Sequence, residues 1–383
     1  MILVDERELT LSAHDEGDVL RAATLAWGEQ HNATLVCRQV QDITADVKTF
    51  LFEPEEPALF HHEAGQFVTL QLEVDGRPVS RCYTISSPPT RPRLLAITVK
   101  RHPHGPVSNW LHDTLAPGRR IQAEGPYGVF TLPPQPAGKY LFLSGGSGVT
   151  PLMAMTRTLY DLGSDADVLF VHSARTPADI IFRRELDAIA GTSPHVRVAH
   201  VCEQDAPLEP WGGLRGYLSV PMLRVLAPDL LEREVYCCGP APYMAAVRAM
   251  LTEVGFDLGR YHEETYSFEQ LGVAEVSAPA AVDHDLEGLD LVPAATTTYE
   301  VEFAKSGQTF TCRDDEFVLD AAFDAGLSPV SSCGQGLCGT CKTTLLSGTV
   351  DMAHQGGIRP REVAAGKVLI CCSKPTSDLT IDS

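Results

Sequence analysis

The segment "SSCGQGLCGTC", residues 331–341, holds Cys333, Cys338 and Cys341 at intervals of four residues and then two. Thiolates so placed can wrap a metal centre. Cys-x4-Cys-x2-Cys with a later fourth cysteine is the plant-type spacing for a [2Fe–2S] cluster. Cys371 and Cys372 both qualify as the fourth ligand; Cys371 comes 29 intervening residues after Cys341, at the end of "GKVLI". If that segment is a strand, Cys372 points to the opposite face, so the assignment goes to Cys371. Gly334, Gly336 and Gly339 let the loop wrap closely and aim N–H groups at cluster sulfurs. Such bonds tune the potential, which for this class lies near about −400 mV. A structural zinc site would favour paired Cys-x2-Cys knuckles, and the loop has one such pair. Cys37, Cys82, Cys202 and Cys312 read as core or edge residues.

Three further stretches carry chemistry. In "RCYTISS", period two is expected to set Arg81, Tyr83 and Thr84 on one face of a strand, with Ile85 and Ser86 completing the stretch. Arg81 can fork onto a pyrophosphate, Tyr83 can stack on an aromatic ring, and Thr84 can hydrogen-bond that ring's reactive edge. In "GPVSNWL", Gly105, Val107 and Ser108 open a helix whose N-terminus attracts phosphate. "SGGSGVTP" follows the strand "KYLFL" and reads Gly-x-Gly-x-x-Pro through Gly146, Gly148, Thr150 and Pro151, where glycines let the backbone approach a pyrophosphate. At the end of the second strand of that region, "VHSARTPADIIF" has no acid until Asp179, and Ser173 and Arg175 stand where a ribose or its phosphate would lie. His61, His62, His102, His104 and His112 fall in turns and a helix flank, without carboxylates at ligand spacing.

The elements that must position these residues divide the chain. Residues 1–32 read as an acidic extension with partly helical periodicity. Residues 33–135 alternate apolar and polar runs between turns, which predicts an antiparallel β-barrel. Residues 136–268 repeat strand, turn and helix, which predicts an α/β domain with an open parallel sheet. Residues 269–297 hold six acids and no Lys or Arg and read as a linker. Residues 298–383 begin with a hairpin and a short helix before the cysteine loop.

A chain of 383 residues suits two or three domains. Five of its eleven cysteines fall in the last 51 residues, which suggests metal rather than disulfides. A net charge of −20 disfavours nucleic acid and anionic membrane surfaces. It also suits a salt-adapted source. No apolar run spans a bilayer, and the acidic N-terminus lacks the order of a signal peptide, so a soluble cytoplasmic protein is expected.

Residues 298–383, with "CCSKPTSDLTI" near the end, resemble a plant-type ferredoxin, which implies an α+β β-grasp fold. The order of "RCYTISS", "GPVSNWL" and "SGGSGVTP", with Cys238, Gly239 and Pro240 as a Cys-Gly-Pro segment, resembles the ferredoxin–NADP reductase superfamily. The resemblance covers about residues 33–383. It implies that Cys238 and Thr150 lie beside nicotinamide and flavin, and that Glu264 and Tyr266 in "YHEETYSF" end the reductase part. It implies FAD rather than FMN, although a relative with the same domain order uses FMN. It implies NADH ahead of NADPH. The implied route runs from NAD(P)H through flavin, which exchanges two electrons or one, to the [2Fe–2S] cluster and an external iron protein. The whole looks most similar to monomeric reductases serving Rieske non-haem iron monooxygenases that demethylate quaternary amines such as glycine betaine, carnitine or stachydrine. Reduction of hybrid-cluster protein, a diiron epoxidase of the phenylacetyl-CoA type, and a redox-sensing or docking module are the alternatives.

Overall fold

The computed structural model describes residues 24–25, 32–56, 58–74, 76–103, 105–133, 137–265 and 297–383, the last span without 328, 330, 332–335, 337–338, 340, 355–356 and 359. The expected linker and most of the acidic extension therefore lie outside the described residues. At the end of that extension Thr24–Leu25 (β1) forms a short parallel pair with Ala58–Leu59, so this part is extended rather than helical.

The first domain comprises β2 (Asn32–Thr44), β3 (Val47–Pro54), β4 (Ala58–Leu59), β5 (Phe67–Val74), β6 (Arg77–Thr84), β7 (Leu95–Lys100), helix α1 (Pro106–Thr114) and β8 (Arg120–Tyr127). Six of these strands form an antiparallel sheet ordered β6-β5-β8-β2-β3-β7. A bridge between Ile85 and Ile97 joins its two edges and closes it into a barrel. Alternation drives the closure. Leu35, Phe50, Phe52, Val68, Leu70, Ile97 and Ile121 fill one core cluster, and Leu111 of α1 plugs it.

The second domain runs β9 (Lys139–Gly145), α2 (Val149–Asp161), β10 (Asp167–Ala174), α3 (Arg183–Thr192), β11 (Val196–Cys202), β12 (Leu214–Arg215), α4 (Val220–Leu226), β13 (Glu234–Gly239), α5 (Ala241–Glu253) and β14 (Tyr261–Thr265). Its six strands are all parallel, ordered β12-β11-β10-β9-β13-β14. Each face is covered by its own apolar cluster, as a buried parallel sheet requires. Val47, Ala64 and Phe130 of the barrel join one of these clusters, so the two domains share a core. Arg233 is wholly buried at the sheet's other end. Its guanidinium is neutralised by Asp229 and Asp167 and donates to the Tyr140 carbonyl, which offsets its desolvation.

The third domain has a mixed sheet ordered β16-β15-β21-β17-β19, built from β15 (Thr298–Phe303), β16 (Gln308–Arg313), β17 (Lys342–Ser347), β19 (Lys367–Leu369) and β21 (Leu379–Ile381). Between them lie α6 (Val318–Asp324), β18 (Val350–Met352), α7 (Pro360–Ala364) and β20 (Ser373–Pro375). The β15–β16 hairpin and the helix after it match the expected elements. Phe303, Phe310, Leu319, Ile370 and Cys371 pack in one cluster with Cys341.

Candidate functional site

Cys333 and Cys338 lie outside the described residues, whereas Cys341 and Cys371 are both buried in the third-domain core. Ile370–Cys372 forms a tight 3-10 turn, not a strand, which corrects the argument that alternation separates the two adjacent cysteines. What distinguishes them is bonding. The N–H of Gly336, inside the cysteine loop, donates to Cys371 Sγ at 3.2 Å, whereas Cys372 Sγ donates to the Leu369 carbonyl at 3.6 Å. Gly336 and Gly339 hold φ of +68° and +72°. A Cβ at Gly339 would lie 2.6 Å from the Gly357 carbonyl oxygen, so the loop tolerates no side chain there. This donor set, thiolates met by a backbone N–H, fits an iron–sulfur cluster.

In the barrel, alternation along β6 carries Tyr83 toward the main core cluster and Cys82 toward Phe67 and Tyr127. Arg81 and Tyr83 therefore share a face and Thr84 belongs with Cys82, correcting the expectation that all three face one way. Ile85 is packed in the core. The Ser86 hydroxyl reaches the Ala96 carbonyl at 3.2 Å and the Thr98 hydroxyl at 2.9 Å. Both side chains are thus committed to the barrel. At the start of α1, Ser108 Oγ donates to the Gly105 carbonyl and accepts from the His102 N–H, tightening the turn before the helix. The first-turn N–H groups of Val107 and Ser108 have no intrahelical acceptor, as at any helix start. Of the histidines set aside above, His62 meets the Ser87 carbonyl and His112 the Val99 carbonyl.

The glycine loop joins β9 to α2, and its glycines differ in purpose. Gly146, at φ +51°, has open space where a side chain would be. A Cβ on Gly148 would sit 2.2 Å from the Cys238 carbonyl oxygen, so this glycine lets the loop pack on β13 rather than on a ligand. Thr150 Oγ1 donates to the Ser147 carbonyl at 3.2 Å, and Pro151 is buried in the first turns of α2. Cys238 is fully buried and pairs in register with Glu264. Burial, then the nearby Glu264 charge, pushes its thiol well above the ordinary range, so it stays protonated. Tyr266 lies outside the described residues. Arg175 is exposed, with Asp179 at 3.6 Å and Asp46 at 3.9 Å.

Two residues that matter here escaped sequence reading. The Tyr243 ring, not a ligand, is what excludes a side chain at Gly145 and Gly239. A Cβ on either would come within 3.0 Å or 2.8 Å of it. Its hydroxyl and that of Ser173 are both buried and face each other, without a hydrogen bond of good geometry to any other group. Tyr243 follows the Cys-Gly-Pro segment by three residues, and an aromatic there was the available signal. Arg157 of α2 spans the domains: it donates to the Ser86 carbonyl and forks onto both Glu185 oxygens at 2.8 and 2.6 Å. Beside it Arg91 and Thr90 of the barrel bind Asp161. On the cluster side, Lys342 follows Cys341, and its Nζ lies 5.7 Å from the centre of the Tyr127 ring. Tyr127 packs on Phe67, which pairs in register with Thr84.

A flavin-binding barrel, a parallel nucleotide-binding sheet and a cluster-binding β-grasp unit, in that order, define an electron-transferring flavoprotein reductase. Family models for an oxidoreductase FAD-binding domain, an oxidoreductase NAD-binding domain and a 2Fe-2S iron-sulfur cluster binding domain match residues 34–132, 142–249 and 301–376. The glycine betaine monooxygenase reductase subunit of Chromohalobacter salexigens is 47% identical over 92% of this chain and 95% of its own. The stachydrine N-demethylase reductase subunit of Rhizobium meliloti is 42% identical over 88% and 93%. Phthalate dioxygenase reductase, a solved structure, shares the fold with a TM-score of 0.54 at 24% identity, covering 93% of this chain and 99% of its own. The chain belongs to the family of FAD- and NAD-binding reductases that end in a 2Fe-2S domain. Among the described residues no helix is long and apolar enough to cross a membrane.

Proposed function

We propose that this protein is the reductase component of a two-component Rieske non-haem iron monooxygenase that demethylates a quaternary amine, with glycine betaine the first choice. The observation that carries the reading is the 47% identity, running through all three domains, with a reductase subunit of that activity. Together, nicotinamide, FAD and a [2Fe–2S] cluster turn a two-electron donor into a source of single electrons.

The chain's residues divide that task. Cys333, Cys338, Cys341 and Cys371 hold the cluster, and the Gly336 N–H steadies one thiolate. Arg81 and the first turn of α1, with Gly105, Val107 and Ser108, take the flavin's phosphates. Tyr83 stacks on its ring, and Thr150 and Cys238 border its reactive edge with Glu264 and Tyr266. Gly146, Gly148 and Pro151 shape the nucleotide's approach, and Ser173, Gly239 and Pro240 line it. Arg175, flanked by Asp46 and Asp179, supports NADH over NADPH, because a 2′-phosphate would meet both carboxylates. The partner is a separate terminal oxygenase, and the reductase works as a monomer.

The test is reconstitution with the matching oxygenase component. NADH-dependent formaldehyde release from glycine betaine is the expected result. Release from stachydrine or carnitine alone would move the substrate, and release from none of them would overturn the oxygenase reading.

A further inference from the structure

The lysine that follows Cys341 stands at the cysteine-bearing end of the third domain. Lys342 opens β17 and pairs in register with Leu369 of β19, two residues before Cys371. The Ile370 N–H reaches the Cys341 carbonyl at 3.5 Å, so the segments carrying both cysteines meet beside it. A Cβ at Gly339 would lie 3.5 Å from Lys342 Cε, which places the lysine stem along the cysteine loop. The side chain is 13% exposed, and its Nζ meets Glu362 Oε1 of α7 at 2.8 Å. Fixing a lysine chain costs rotamer entropy, and the Glu362 carboxylate offsets that cost.

The tip of this side chain meets another domain. Its Nζ lies 5.7 Å from the centre of the Tyr127 ring of the flavin barrel, within the range of a cation–π contact. Alternation along β5 sends Val68 and Leu70 into the barrel core and Phe67 to the outer face. There Phe67 and Tyr127 pack with ring centres 6.1 Å apart, beside Cys82, as a small cluster separate from the core. Both aromatic residues are buried. Phe67 pairs in register with Thr84, which follows Tyr83. The aromatic pair therefore adjoins the strand assigned to the flavin.

This interface differs in kind from the one between the first two domains. Val47, Ala64 and Phe130 carry the barrel into the core of the nucleotide domain, whereas among the described residues no apolar cluster joins the third domain to either. Domains without a shared apolar core move relative to one another. A light seat suits a cluster that is filled one electron at a time and emptied into an external protein. We propose that Lys342 is a positioning residue: its ammonium, held by Glu362, seats the cluster domain on the Tyr127 ring for electron transfer from the flavin. The inference rests on the electron route given above. In that seat one electron leaves the flavin and one enters the cluster. Two such transfers discharge the two electrons of one hydride.

Anaerobic stopped-flow absorbance on the flavin- and cluster-loaded protein separates the two electron steps. In Lys342→Met and in Tyr127→Leu, flavin bleaching by NADH should keep its rate while cluster reduction slows about fivefold. The double variant should be no slower than either single one, and Lys342→Arg should restore the rate. Small-angle X-ray scattering of the oxidised proteins involves no turnover. It should give both single variants a larger radius of gyration than the unsubstituted protein and Lys342→Arg. Cluster reduction at the original rate in both single variants, or an unchanged radius in both, would overturn the proposal. Slowing confined to Lys342→Met, with an altered reduced-state EPR signal, would also overturn it, because the lysine would then act on the cluster alone. Failure of NADH to bleach the flavin of the unsubstituted protein would instead overturn the electron route.

Discussion

Arg157 of the nucleotide domain donates to the backbone carbonyl of Ser86 in the flavin barrel while both oxygens of Glu185 hold its other edge. The guanidinium is buried over the Phe182 ring, so a charge bridges the two domains out of water. This contact ties helix α2 to the chain just beyond the barrel strand that carries Tyr83.

Arg157→Met should destabilise the protein by about 2–3 kcal/mol, below the usual loss for a broken buried pair because Glu185 is partly exposed. It should slow flavin reduction by NADH about tenfold through misplacement, leaving flavin-to-cluster transfer intact. Thermal unfolding and stopped-flow absorbance separate the two effects.

Cys371→Ser should lose the visible spectrum and reduced-state EPR signal of the cluster, and Cys372→Ser should keep both. The Gly336 N–H supports the first sulfur and not the second. The reverse pattern would reassign the fourth ligand.

Gly148→Ala drives a Cβ into the Cys238 backbone, which cannot swing aside. A loss of about 2–4 kcal/mol is expected. Gly146→Ala meets no neighbour, but its positive φ strains any side chain. Its cost should be nearer about 1 kcal/mol. Melting temperatures of the two variants give the comparison.

Acid should destabilise the fold in two stages. Burial pushes His62 down to about 4 from 6.5, so it contributes stability above pH 6.5 that is lost as pH falls through about 4, up to about 3 kcal/mol. Arg233 and then Lys139 hold Asp229 at about 2, below 3.8. Its share, about 1 kcal/mol after allowing for solvent, disappears as pH falls from 3.8 through about 2. His62→Phe should make the upper stage shallower in urea titrations without abolishing it, because burial also holds His172 down, to about 3, and should leave the Asp229 stage.

Alternation in "VKTFLFEP" and the strand–turn–helix repeat after Lys139 were enough to read a barrel and a parallel sheet, because burial imposes period two and long apolar runs respectively. The cysteine spacing pointed to its chemistry for a similar reason, since loop geometry dictates the intervals. What stayed hidden depends on neighbours distant in sequence. The contact between Lys342 and Tyr127 exists only across domains, and Arg157 meets Ser86 across 71 residues. The adjacent cysteines at 371 and 372 were separated by an argument about a strand that is a 3-10 turn.

The most direct test of the electron route is anaerobic NADH addition to the unsubstituted protein and to Cys338→Ser, followed by absorbance and EPR together. Flavin bleaching in both proteins, with a reduced [2Fe–2S] signal in the unsubstituted protein alone, is the expected result. A cluster signal that appears while the flavin remains oxidised, or a flavin that NADH leaves unbleached, would contradict the account.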